Sequence, residues 1–73
     1  MLSGQARQLL RALLDELTPD RRAVFVMHEY YEYTAVEIAE TLAIPLNTAY
    51  SRLRLARAQF AELVARRFGT EAQ

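Results

Sequence analysis

Seven polar side chains, Asn47, Thr48, Tyr50, Ser51, Arg52, Arg54 and Arg57, follow one another within about three helical turns. Their chemistry is that of hydrogen bonding to nucleic acid. The Asn47 amide matches an adenine edge, the Arg54 guanidinium matches guanine O6 and N7, and the Tyr50 ring suits a thymine methyl or a phosphate. Ser51, Arg52 and Arg57 are the types that position a protein on the sugar-phosphate backbone, and Arg22, farther upstream, offers a further phosphate or intradomain contact. If a helix starts at Leu46, its free amides from Leu46 to Thr48 add a phosphate site at the positive end of the helix dipole.

Other chemistries are less well supplied. His28, Glu29 and Glu32 put a histidine and a carboxylate four residues apart, a spacing compatible with two metal positions or an acid-base pair. Two ligands do not complete a site, so these residues are read as a solvated helix face. No catalytic residue, metal or cofactor is assigned, and the chain is read as a non-enzyme. Phe25, Tyr30, Tyr31 and Tyr33 offer a base-stacking surface, but beside Val26 and Met27 at helical spacing they are read as core and helix-end packing. Exposed members of that set would serve a protein partner instead. Arg66 and Arg67 are read as complements to the dipole of a closing helix.

The composition of the 73 residues bounds the rest, since it is 52% hydrophobic and 25% charged, that of a chain that folds. A single small core is expected, with modest stability. The absence of Cys removes disulfides and thiolate chemistry, no apolar run spans a membrane, and Met1-Leu2 leads directly into polar residues without a leader. A cytoplasmic setting is the expectation. Net charge is zero, yet residues 28–44 hold Glu29, Glu32, Glu37 and Glu40 without any Arg, a net of −4. Residues 45–68 hold Arg52, Arg54, Arg57, Arg66 and Arg67 against Glu62, a net of +4. A polyanion responds to that local density. All nine cations are Arg, whose planar fork suits phosphates and guanine edges.

Four helices must position these groups. Leu9, Leu10, Ala12, Leu13, Leu14 and Leu17 recur at spacings of three and four, predicting a helix over 5–17 with Ser3 as its cap. Pro19 ends it, and Thr18 with Pro19 starts a second helix over 19–31 that buries Ala23, Val24, Phe25, Val26, Met27 and Tyr30. Thr34 and Glu37 form a capping box for a short third helix over 35–42. Past Ala43-Ile44-Pro45, the pattern Ala49, Leu53, Ala56, Phe60, Leu63 and Val64 predicts a fourth helix over 46–68, about 34 Å long. Gly69 stops it, leaving 69–73 as a tail.

A short helix, a tight turn and a longer basic helix form the helix-turn-helix layout, with Ile38, Ala39 and Leu42 facing inward and Ala39 small enough for the crossing. The fold class expected is an all-α, four-helix domain of the winged-helix-like superfamily without a wing. The stretches Leu17-Thr18-Pro19-Asp20-Arg21-Arg22-Ala23-Val24-Phe25, Tyr33 through Leu42 and Ile44 through Arg54 resemble region 4 of extracytoplasmic-function sigma factors. Members of that family read L-P-x-x-x-R-x-V-F, then S-x-x-E-I-A-x-x-L-G-I-P-x-G-T-V-x-S-R-L. The resemblance implies a bacterial transcription-initiation domain that reads the minus-35 promoter element in the major groove. It also implies docking on the flap of the RNA polymerase β subunit and regulation by an anti-sigma factor.

Tyr50, Leu55 and Ala58 stand where the family commonly has basic residues, which implies weaker DNA binding and a shallower salt dependence. Glu32, Ala43 and Asn47 stand where Gly is usual, and Ala43 costs about 1 kcal/mol if it turns left-handed. The region that melts the minus-10 element has no counterpart, so the chain resembles an excised C-terminal domain or a truncated relative. Two alternatives accompany this reading. One is a region 4-like protein-interaction module that binds polymerase or an anti-sigma factor without reading DNA; the other is the output helix-turn-helix of a response regulator.

Overall fold

Three of the helices begin at a hydroxyl side chain that accepts from a first-turn amide, and the fourth begins behind a proline. In the computed structural model, which describes residues 3–69, the elements are α1 (Gly4–Asp15), α2 (Pro19–Glu29), α3 (Ala35–Leu42) and α4 (Leu46–Phe68). Ser3 Oγ accepts from the Ala6 amide at 3.1 Å, and Thr18 Oγ1 accepts from Arg21 with Pro19 in the first turn. The capping box is complete: Thr34 Oγ1 accepts from the Glu37 amide at 3.1 Å, and Glu37 Oε1 accepts from the Thr34 amide at 2.8 Å. Gly69, at φ 65, closes α4, and the rest of the expected tail, 70–73, lies outside the described residues. No strand is present among the described residues, so the fold is an all-α helix-turn-helix without a wing.

Two helices end earlier than their periodicity suggests. The α1 ladder stops at Asp15, not Leu17, because the Leu17 amide turns to Leu14 O at 3.0 Å while Arg22 reaches back across the break. Arg22 Nε donates to Leu14 O and its Nη2 to Leu17 O, each at 3.1 Å, which adds a charged donor to the Leu14 carbonyl and engages that of Leu17. Leu17 remains buried in the connection, and Ala12, expected on the inner stripe, is exposed. The second helix stops at Glu29 instead of Tyr31, because Glu32 at φ 63 bends the chain toward α3. Tyr30 is consequently 74% exposed, Tyr31 62% and Tyr33 38%, which overturns the expectation that the tyrosines pack inward. Of the residues expected inside α2, only Val24 is fully buried; Ala23, Phe25, Val26 and Met27 are half-buried.

The core has two parts. Val24, Ala35, Ile38, Ala39, Ala49, Leu53 and Ala56 form the first, where α2 and α3 pack on the front half of α4. Its small residues let the helices approach closely, while burial of Ile38 and Leu53 contributes about 1.5–3 kcal/mol each. Leu13, Leu17 and Leu63 form the second, joining α1 to the rear half of α4. Phe25 packs against both parts, and its ring meets Phe60 at a centroid distance of 4.7 Å.

Candidate nucleic-acid interface

The turn between α3 and α4 fixes how the polar stretch is presented. Ala43 adopts φ 56 and ψ 47, its amide reaches Glu40 O at 3.3 Å, and the Ile44 amide reaches Ala39 O at 3.0 Å. This is a Schellman closure with alanine in the place that glycine favours, so the left-handed turn, only a conditional expectation from the sequence, forms despite its Cβ. Ile44 packs back on the first core cluster, and Pro45 starts α4 without a side-chain cap. Thr48 and Ala49 both donate to Pro45 O at 3.1 Å. The amides that face outward are therefore those of Leu46 and Asn47; the Thr48 amide, expected among them, is already bonded.

With Ala49, Leu53 and Ala56 buried, helical geometry sets the opposite side of α4 outward. Asn47, Tyr50 and Arg54 are exposed there, Ser51 lies beside them half-buried, and Leu55 and Ala58 continue the surface. Thr48 and Arg52 occupy one flank and are half-buried, and Arg57 occupies the other. The eight candidate residues thus separate into an outer group of four, three flanking residues and Arg22. Arg22 lies on the far side of α2, with its guanidinium committed to the end of α1, the intradomain alternative of its two expected roles.

The flanking arginines are tied to α2. Arg52 Nη2 stands 3.9 Å from Asp20 Oδ2, and Arg57 Nε donates to Glu29 Oε2 at 3.0 Å. Arg21 Nη1, from the same end of α2 as Asp20, donates to Gln59 Oε1 at 2.9 Å. These contacts hold α2 across α4, one end at each flank, and they place an acidic partner beside two cations of the basic third. Arg54 takes part in neither ion pair among the described residues, which leaves it the least neutralised cation on the front half of α4.

Two concavities flank this arrangement. One, of about 600 Å³, lies between the end of α2, the start of α3 and α4, and is lined by His28, Thr34, Tyr50, Arg54 and Arg57 among others. The other, of about 540 Å³, separates α1 from α2 and has an apolar floor of Leu10, Leu14, Phe25, Val26 and Phe60 with Arg7 and Arg11 on its rim. The sequence offered no signal for the second, because it arises from the angle at which α1 leaves α2. His28 Nδ1–H donates to Tyr33 O at 2.8 Å, so the histidine has a structural tie in addition to its exposed edge. No group of three or more metal-ligating side chains is present among the described residues, and no described helix is long and apolar enough to cross a membrane.

Neither a curated protein nor a solved structure matches the chain significantly. The sequence model of the family described as Sigma-70, region 4, a family of DNA-binding regulatory domains in transcription initiation, matches residues 7–60. That span contains α2, α3, the left-handed turn at Ala43 and the front part of α4 with its outer face, and the chain belongs to the sigma-70 region 4 family.

Proposed function

We propose that this chain is the promoter-recognition domain of an extracytoplasmic-function sigma factor, with α4 reading the minus-35 element in the major groove. The observation that carries the reading is the outer face of α4, where Asn47, Tyr50, Ser51 and Arg54 stand together beyond a buried alanine and leucine row. Asn47 reads an adenine edge, Arg54 reads guanine, and Tyr50 meets a thymine methyl or a phosphate. Thr48, Arg52 and Arg57 hold the backbone on either side. Arg22 serves the fold. Family membership sets aside the response-regulator alternative.

The polymerase β flap is assigned to the apolar groove between α1 and α2. Its floor is apolar, its rim carries Arg7, Arg11 and Arg22 with Asp15 and Glu29, and it does not share residues with the outer face of α4, so both partners can be held together. Bound to polymerase in the cytoplasm, the domain gains the effective concentration that an isolated module of this size lacks. A second, protein-facing role is favoured by Tyr30 and Tyr31, which are exposed and meet edge to face at 4.8 Å, an anchor type enriched in interfaces. An anti-sigma factor is the partner that would use it.

A heteronuclear NMR titration with a minus-35-like duplex at low salt tests the reading. Shifts centred on Asn47, Tyr50, Ser51 and Arg54 and larger than with a scrambled duplex are the expected result. Shifts absent, or equal for both duplexes and scattered over arginines, overturn groove reading in favour of a protein-interaction module. Arg54→Ala should lose about 1–3 kcal/mol of binding and relax specificity at one base pair.

A further inference from the structure

The concavity beside the outer face of α4 has a basic wall that base reading leaves unused. His28 enters it from α2 and Arg57 from α4, with Tyr50 and Arg54 at the side nearest the outer face. The histidine ring is fixed from behind by Tyr33 O, 2.8 Å from Nδ1. A carbonyl only accepts, so the neutral ring keeps its proton on Nδ1 and presents Nε2 as an acceptor. Only the charged ring donates from Nε2. Arg57 spends Nε on Glu29 and retains the donors of its Nη groups.

Two acidic neighbours are already bonded, one of them to an arginine of the recess itself. Glu29, on the same helix as His28, is held by Arg57, and Glu37, from α3, is held on the Thr34 amide. Tyr50, Arg54 and Arg57 from α4 are the other titratable and charged groups lining the recess among the described residues, with Glu32 and Tyr33 in the connection that follows α2. A cationic recess next to a helix that enters a DNA groove faces the strand bordering that groove.

We infer that this recess seats one backbone phosphate of the bound duplex between Arg57 and His28, and that only protonated His28 completes the seat. The inference rests on the reading of α4 as the groove helix. The charged ring adds a donor at Nε2, so a phosphate contact should be gained on acidification. Because a phosphodiester bond carries a full negative charge, its arrival favours the charged ring in turn, and the effect has one sign.

The test is the salt dependence of binding between the 73-residue chain and a fluorescently labelled mixed-sequence duplex, since phosphate contacts do not depend on sequence. The slope of log affinity against log salt should be steeper, by up to about 0.9, in mildly acidic than in mildly alkaline buffer. H28N keeps a donor for Tyr33 O but has nothing at the Nε2 position, so it should lose that difference and match the wild type at the higher pH. In wild type, the His28 ring resonances should also move on duplex addition at the lower pH. Equal slopes at both pH values, or a difference that persists in H28N, overturn the phosphate seat. If binding is independent of pH yet weakened by R54A, the seat fails while the DNA reading stands. If no duplex binds at either pH, both fail together.

Discussion

Ala43 holds a backbone conformation that glycine enters without a Cβ penalty, and the surrounding bonds leave it no alternative. Its amide and that of Ile44 close the end of α3, and Ile44 must then reach the core from the following position. Ala43→Gly should stabilise the chain by about 1 kcal/mol, visible as a rise in thermal midpoint of about 4–8 °C. An unchanged or lower midpoint would show that the extra freedom of glycine in the unfolded chain cancels the relief of strain. Arg22 is the opposite case, a side chain whose shape is indispensable. A lysine carries the same charge but no planar fork, and cannot reproduce two parallel donors to Leu14 O and Leu17 O. Arg22→Lys should cost about 1–2 kcal/mol in denaturant unfolding, with duplex affinity unchanged once the chain is folded. A selective loss of duplex affinity with stability intact would return Arg22 to the DNA-binding set.

The ion pairs between α2 and α4 belong to a larger scale, because they exist only through the crossing of two helices. Glu29 and Arg57 are both about half exposed, so their pairing contributes at most about 1 kcal/mol to stability. Its larger effect is on charge available to a polyanion. Glu29→Gln should leave the unfolding midpoint nearly unchanged and, because paired Arg57 keeps its Nη donors, steepen the salt dependence of duplex binding by less than the slope of about 0.9 that one whole contact adds. A flat response would mean that Arg57 already meets phosphate while paired. Sequence reasoning reached the helices themselves because their signals are local: Thr18-Pro19, the Thr34 and Glu37 box, and Gly69 each act within one turn. It missed the early end of α2, where the left-handed bend at Glu32 carries Tyr30 and Tyr31 into solvent although their spacing suits a buried stripe. The outer face of α4 was likewise readable from the positions of Ala49, Leu53 and Ala56. Pairing of Arg52 and Arg57 with α2 was not, since Asp20 and Glu29 meet them only after the helices cross.

Taken as a whole, the fold is two small cores strung on one long helix. The front core braces the helix-turn-helix, the rear core holds α1 through Leu13, Leu17 and Leu63, and Phe25 with Phe60 spans the gap. Helix α1 rests chiefly on the rear half of α4 and is bonded to α2 through Arg22, with the apolar groove opening beside it. A chain this size buries too little for a second independent reserve of stability, so the element held by the smaller core should open first. Leu63→Ala removes the only α4 residue buried in the rear core and should cost about 2–4 kcal/mol. In native-state hydrogen exchange, protection of α1 amides should fall much further than that of Ile38, Ala39 and Leu53, which lie in the front core. Opening α1 also removes one wall of the groove assigned to polymerase while sparing the outer face of α4. The same substitution should therefore weaken binding to the isolated β flap more than binding to duplex DNA. Equal loss of protection in both cores would instead make the chain one cooperative unit, in which polymerase docking and DNA reading stand or fall together.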